Sequence, residues 1–186
     1  MKEQKLETFY PASRGDWRQW LEKHHNTRQS IWLICYKKKT GIPSISWSEA
    51  VDEALCFGWI DSQRKPVNDD YYIQFFCRRK PKSTWSKVNK EKIKQLLELG
   101  LMKPAGLQCM EAAKNNGSWT ILDEVEEGII PADLARALES RPHAHQYFLS
   151  LSKTDKRAIL QWLVFAKRAE TRQSRIDEMI EQMDQH

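Results

Sequence analysis

Two apolar spacings succeed one another along the chain, and the switches between them lay out its elements. Ser13 followed three residues later by Asp16 has the form of a capping box. Trp17, Trp20, Leu21 and His24 then fall at i, i+3, i+4 and i+7, a single helical stripe. Residues 31–37 (IWLICYK) are a nearly continuous apolar, β-branched run, the pattern of a buried strand. After the polar turn KKKTGIPS, Ser46 and Glu49 form a second capping box. Its helix places Trp47, Ala50, Val51, Ala54 and Leu55 on one face, with Glu49, Asp52, Glu53 and Cys56 on the opposite, exposed one. Gly58 ends this helix, and residues 59–65 and 71–78, joined by PVNDD, read as a hairpin.

Beyond the hairpin the spacing is helical. Residues 87–99 end at Gly100, and a helix over 104–115 stops near Gly117. Pro131 opens ADLARALESR, where proline is tolerated in the first turn. Ser152 and Asp155 cap a helix carrying Ile159, Leu163 and Ala166, and Ile176, Ile180 and Met183 mark a last amphipathic stretch. The predicted fold is α+β: a small antiparallel sheet with packed helices over residues 1–117, then a helical C-terminal part, residues 118–186, packed on it. The boundary falls in the loop-like, acidic stretch 117–131.

Charge changes this picture in one place. The chain carries a net charge of +5, yet Cys77–Lys94 alone holds eight cations and only Glu91 against them. The basicity therefore belongs to RRKPKSTWSKVNK rather than to the whole surface. A basic run with an embedded tryptophan suits phosphate contact and base stacking. It equally suits a small anion, with Ser83, Thr84 and Ser86 near a helix start.

The remaining chemistry is sparse. Cys35, Cys56, Cys77 and Cys109 form no C-x-x-C pair and no zinc-finger spacing, so they read as free thiols in a reducing compartment. Cys56, at a helix end among Glu49, Asp52 and Glu53, lacks the positive surroundings that make a thiolate. Adjacent His24 and His25 diverge on a helix, and His143 and His145 would share a face only on a strand, so no metal site is expected. No nucleotide-binding, nucleophile-elbow or zinc-protease motif is present, which implies no cofactor and favours a non-enzymatic protein. Lys167, Glu170, Arg172 and Arg175 read as ion pairs within one late helix. The N-terminal residues show neither an apolar segment nor a small-residue cleavage site, and no apolar run is long enough to span a bilayer; the expected location is the cytoplasm.

Four segments carry a family resemblance: EAVDEALCFGWIDSQRKPV, RRKPKSTWSKVNKEKI, GLMKPAGL and AKRAETRQSRI. With them the chain resembles the YdeI/OmpD-associated (OmdA) family over roughly Phe9 to Met183. The resemblance implies a link to bacteriocin protection, antimicrobial-peptide resistance and an outer-membrane porin, and a periplasmic location for some members. It supplies no catalytic residues.

Within EALCFGWIDS, strand alternation puts Trp59 and Asp61 on one face and Ile60 and Ser62 on the other. With Ile60 in the core, Trp59 and Asp61 form an aromatic and carboxylate pair facing a groove; otherwise Trp59 is core and Asp61 ties the turn to a base such as Arg64. The candidate ligand-binding set is Trp59, Asp61, Arg64, Lys80, Lys82, Ser83, Trp85 and Asn89. The leading reading is a stress or antimicrobial-peptide-resistance accessory that binds a small anionic ligand or a protein partner. Two alternatives stand beside it: a nucleic-acid-binding module using residues 78–94, and an enzyme with Asp61 in a pocket.

Overall fold

A computed structural model describes residues 7–185. The chain is α+β and divides into two compact units, one running to Ser83 and resuming over Val88–Gly117, the other comprising Thr84–Lys87 and the chain from Ser118 onward.

The first unit is built on four strands: β1 (Thr8–Phe9), β2 (Ser30–Tyr36), β3 (Trp59–Pro66) and β4 (Tyr71–Arg78), in the order β1-β2-β4-β3. The pairings β2–β4 and β3–β4 are antiparallel, but β1 runs parallel to β2, so the sheet is mixed rather than wholly antiparallel. This short edge is recruited by backbone pairing, Trp32 N–H donating to Glu7 O at 3.1 Å. Between Asp61 and Arg64 the register of β3 slips, so that Ser62 and Gln63 together oppose Phe75. That bulge returns Arg64 to the face that Asp61 occupies.

Helices α1 (Arg14–His24) and α2 (Trp47–Cys56) open on the capping boxes at Ser13 and Ser46, each closed by the reciprocal hydrogen bonds the sequence spacing requires. They cover the sheet face that presents Leu33, Phe76 and Trp59. Trp17 packs on Phe76 with ring centroids 5.4 Å apart, Trp20 meets Trp59 edge-on at 5.7 Å, and the Trp17 indole N–H donates to Ala50 O at 3.0 Å. Helix α3 (Lys87–Glu98) is tied to α2 by Lys92, whose ammonium lies 2.5 Å from Asp52 and 2.8 Å from Ser48 Oγ. Helix α4 (Pro104–Asn115) crosses the end of α2 so closely that only glycine fits at position 106: a Cβ there would stand 2.7 Å from the Leu55 carbonyl oxygen.

The second unit is helical: α5 (Asp123–Glu127), α6 (Ala132–Glu139), α7 (Pro142–Ser150), α8 (Lys153–Val164) and α9 (Ala169–Asp184). The acidic stretch read as loop contains the short α5. Leu134, Leu138, Phe148, Leu160, Leu163, Ile176 and Ile180 converge in its core. The basic residues of α9 reach outside their helix: Arg172 binds Asp133 of α6 through 2.5 and 3.0 Å contacts, and the Arg175 guanidinium lies over the Trp162 ring of α8. The expectation of pairing within the late helix is corrected accordingly. Among the described residues no helix is long and apolar enough to cross a membrane.

Candidate functional site

The aromatic groove anticipated from EALCFGWIDS does not form. Trp59 is 1% exposed, inserted beneath Trp20 with its indole N–H donating to His25 O at 3.3 Å. Trp85 is also 1% exposed and packs against Trp119 at 4.9 Å in the second unit. Both tryptophans are core residues, and Ile60 is half-buried instead. Strand parity is indifferent to which side of the sheet the helices cover, and α1 covers the side that carries Trp59.

The other anticipated residues are dispersed. Asp61 is half-buried; its Oδ2 accepts from Trp47 Nε1 at 2.8 Å and from Gln74 Nε2 at 3.4 Å, not from Arg64. Trp47, assigned by periodicity to the buried face of α2, is instead 46% exposed. Arg64 lies over the Tyr72 ring, 3.7 Å from its centroid. Ser83 closes a turn onto Lys80 O, its hydroxyl donating at 2.7 Å, while Lys80 and Lys82 are exposed. Asn89 sits half-buried in the first turns of α3.

The face of α2 read as exposed is largely buried. Glu53 is 2% exposed and receives Arg14 Nε at 2.5 Å and Arg18 Nη1 at 2.6 Å. Cys56 is buried as well; its thiol is pushed up to about 11 by desolvation and by Glu53, so it is protonated at neutral pH. All four cysteines are free. Among the described residues no group of three His, Cys, Asp or Glu side chains could hold a metal ion.

What the structure does assemble is a cavity of 260 Å³ in the first unit, where the start of β3, the end of β4, the end of α1 and α4 meet. Its walls are Phe57, Trp59, Pro81 and Ala105, and its polar groups are His25, Asn26, Arg78, Arg79 and Gln108. None of the described residues lining it is acidic.

Gly58, with φ of +72°, makes this corner: a Cβ there would meet the Ala105 carbonyl oxygen at 3.0 Å. Arg79 follows β4, held by its backbone N–H on Gly58 O at 2.9 Å, and is 8% exposed. Burial pushes its guanidinium down to about 10, offset in part by Cys109 and Asp61. Arg78 donates through Nε to Arg28 O at 2.9 Å, while its buried Nη2 meets no hydrogen-bond acceptor among the described residues. The Nδ1 of His25 faces Leu21 O at 2.8 Å and so carries its hydrogen there, leaving Nε2 for other contacts. Two guanidinium groups, amide donors and a small volume suit an anion.

Sequence reasoning found the basic run but assigned its chemistry to Lys80, Lys82 and Trp85. The usable signal was Arg78-Arg79 at the end of a strand, with the glycine of EALCFGWIDS opposite it.

A family model described as a domain of unknown function (DUF8412) matches residues 9–109. A second, described as bacteriocin-protection, YdeI or OmpD-associated, matches residues 127–186. Of the four resembling segments, AKRAETRQSRI alone lies in the second match, and the other three lie in the first. The OmdA resemblance thus holds for the C-terminal part rather than for most of the chain. No curated protein and no solved structure matches the chain.

Proposed function

The chain belongs to the family of the DUF8412 domain, whose function is unknown, and from that premise we propose that its first unit is a non-enzymatic binding module for a small anion held by Arg78 and Arg79. The observation that carries this reading is the Arg78/Arg79 pocket itself: two arginines lining one open pocket, one of them buried, with no acidic residue among the described lining. A volume of 260 Å³ suits inorganic phosphate, a short carboxylate or a small phosphomonoester rather than a dinucleotide. An anion there restores to Arg79 the charge stabilisation that burial removes. The bacteriocin-protection description of the model matching residues 127–186 supports placing this module in an accessory protein of bacteriocin protection.

The nucleic-acid reading has less support, because Lys92, near the end of the basic stretch Cys77–Lys94, is engaged by Asp52 and Ser48. The enzyme reading has less still, because Asp61 lies outside the lining of the cavity and is held by Trp47.

Thermal unfolding in phosphate, sulfate and succinate, against chloride at matched ionic strength, tests the proposal. A ligand at one hundred times its Kd adds about 2.7 kcal/mol to stability, so the effective anion raises the melting temperature by several degrees. Arg78→Met and Arg79→Met are expected to abolish that rise while unfolding remains cooperative. Equal shifts in chloride, or an undiminished response in both variants, would reject the site.

A further inference from the structure

The second unit holds an open groove of 540 Å³ that its own core does not fill. Two helices flank it. On α8, Asp155, Ile159 and Trp162 recur at i, i+4 and i+7; on α9, Glu178, Met179 and Met183 lie at i, i+1 and i+5. Met179 and Met183 form a buried floor, while Trp162 stands 37% exposed at the side. Methionine floors accept varied apolar side chains because the thioether is flexible and polarisable. Helix α8 has 12 residues, about 18 Å at the helical rise, enough to lie along roughly three turns of a partner helix.

Charge selects among helical partners. The charged residues lining the groove are Asp155 and Glu178, both acidic. From Glu178 the acidic surface continues along α9 through Asp177 and Glu181. The Trp162 ring already holds a cation of the chain's own, the Arg175 guanidinium 4.9 Å from its centroid, so the partner's charge is left to the two carboxylates. We propose that the groove docks an amphipathic helix of a partner polypeptide, its apolar stripe on Met179, Met183 and Ile159 and its cationic flank against Asp155 and Glu178. This surface lies in the second unit and does not depend on the anion cavity of the first.

The test is fluorescence anisotropy of the full chain with two labelled synthetic amphipathic peptides of identical apolar stripe, one of Leu and Lys, the other of Leu and Glu. The Leu/Lys peptide is expected to bind at least about tenfold more tightly, with the preference shrinking as salt rises. Met183→Glu, which puts a charge on the floor, is expected to weaken it at least about tenfold. Because Met183 also belongs to the core, Glu178→Lys on the exposed rim is measured beside it. It should narrow the preference between the two peptides with an unchanged melting curve. Equal affinity for both peptides, or a preference that Glu178→Lys leaves intact, overturns the proposal. Sedimentation showing a wild-type dimer that Glu178→Lys or Met183→Glu dissolves would overturn it too, assigning the groove to a second copy of the chain.

Discussion

Arg18 of α1 reaches the buried carboxylate of Glu53 on α2, Nη1 to Oε2, at 2.6 Å. Arg14, one turn earlier, takes the other oxygen at 2.5 Å, and Arg18 also donates to Leu101 O at 3.0 Å. Both guanidinium pKa values are raised: Glu53 hydrogen bonding is the leading cause for Arg14, whereas for Arg18 burial is the largest single effect and lowers it, and the hydrogen bond and charge of Glu53 together with Cys56 outweigh that. A single carboxylate thus pins the two helices that cover the sheet.

This pairing predicts strong coupling. Arg14→Met and Arg18→Met are each expected to cost about 2 kcal/mol in urea unfolding, because Glu53 keeps one partner in each. The double variant should cost clearly more than their sum, since Glu53 is then a buried carboxylate with neither arginine. Additive losses would show that the two arginines act on Glu53 independently.

Two glycines are expected to respond with opposite signs. Gly106→Ala drives a methyl group to 2.7 Å from Leu55 O, and backbone cannot give way there as a side-chain end can. It should destabilise by about 1–3 kcal/mol although alanine is the better helix former. Gly15 of α1 has only Ser13 Oγ, at 3.6 Å, within 4 Å of the added carbon, so Gly15→Ala should gain up to about 0.5–1 kcal/mol. Thermal melts of the two variants give the comparison.

The helical unit should have its own acid limb. The hydrogen bonds from Arg172, and then the backbone N–H of Leu134, hold the Asp133 carboxyl below its ordinary value. A carboxylate depressed in the folded state contributes stability that is present above its unfolded pKa, about pH 4, and is lost as pH falls through its folded value. Asp133→Asn should flatten that acid loss, measured as stability against pH; an unchanged slope would remove the pair from the account.

Thiol chemistry offers a direct check of burial. Cys35 and Cys56 are both pushed up to about 11, chiefly by desolvation, so neither is a thiolate at neutral pH. Both should resist a thiol reagent in the native protein and react fully once urea unfolds it. Rapid native labelling at either position, located by mass spectrometry, would contradict the packing around it.

What was legible in the sequence was what neighbouring residues decide among themselves. The capping boxes at Ser13 and Ser46, the glycine stop after α2 and the strand character of IWLICYK rest on hydrogen bonds and spacings within a few positions, and they stand in the fold. Which face of each element is buried is a different quantity, set by partners far away in sequence. Glu53 and Cys56 share a helical face that periodicity makes polar, yet α1 closes over it with Arg14 and Arg18. Trp47 shares the apolar face and is left outside, its indole N–H bonded to Asp61 of β3. The bulge at Ser62 and Gln63 puts Arg64 on the face of Asp61, where simple alternation would put it on the other. The Arg78/Arg79 cavity needs β3, β4, α1 and α4 together. The sequence by itself determined the elements and the presence of a basic stretch after β4. Only the tertiary structure decided that two of those cations line one pocket while Trp59 and Trp85 are core, because burial depends on contacts between segments and no local pattern encodes it.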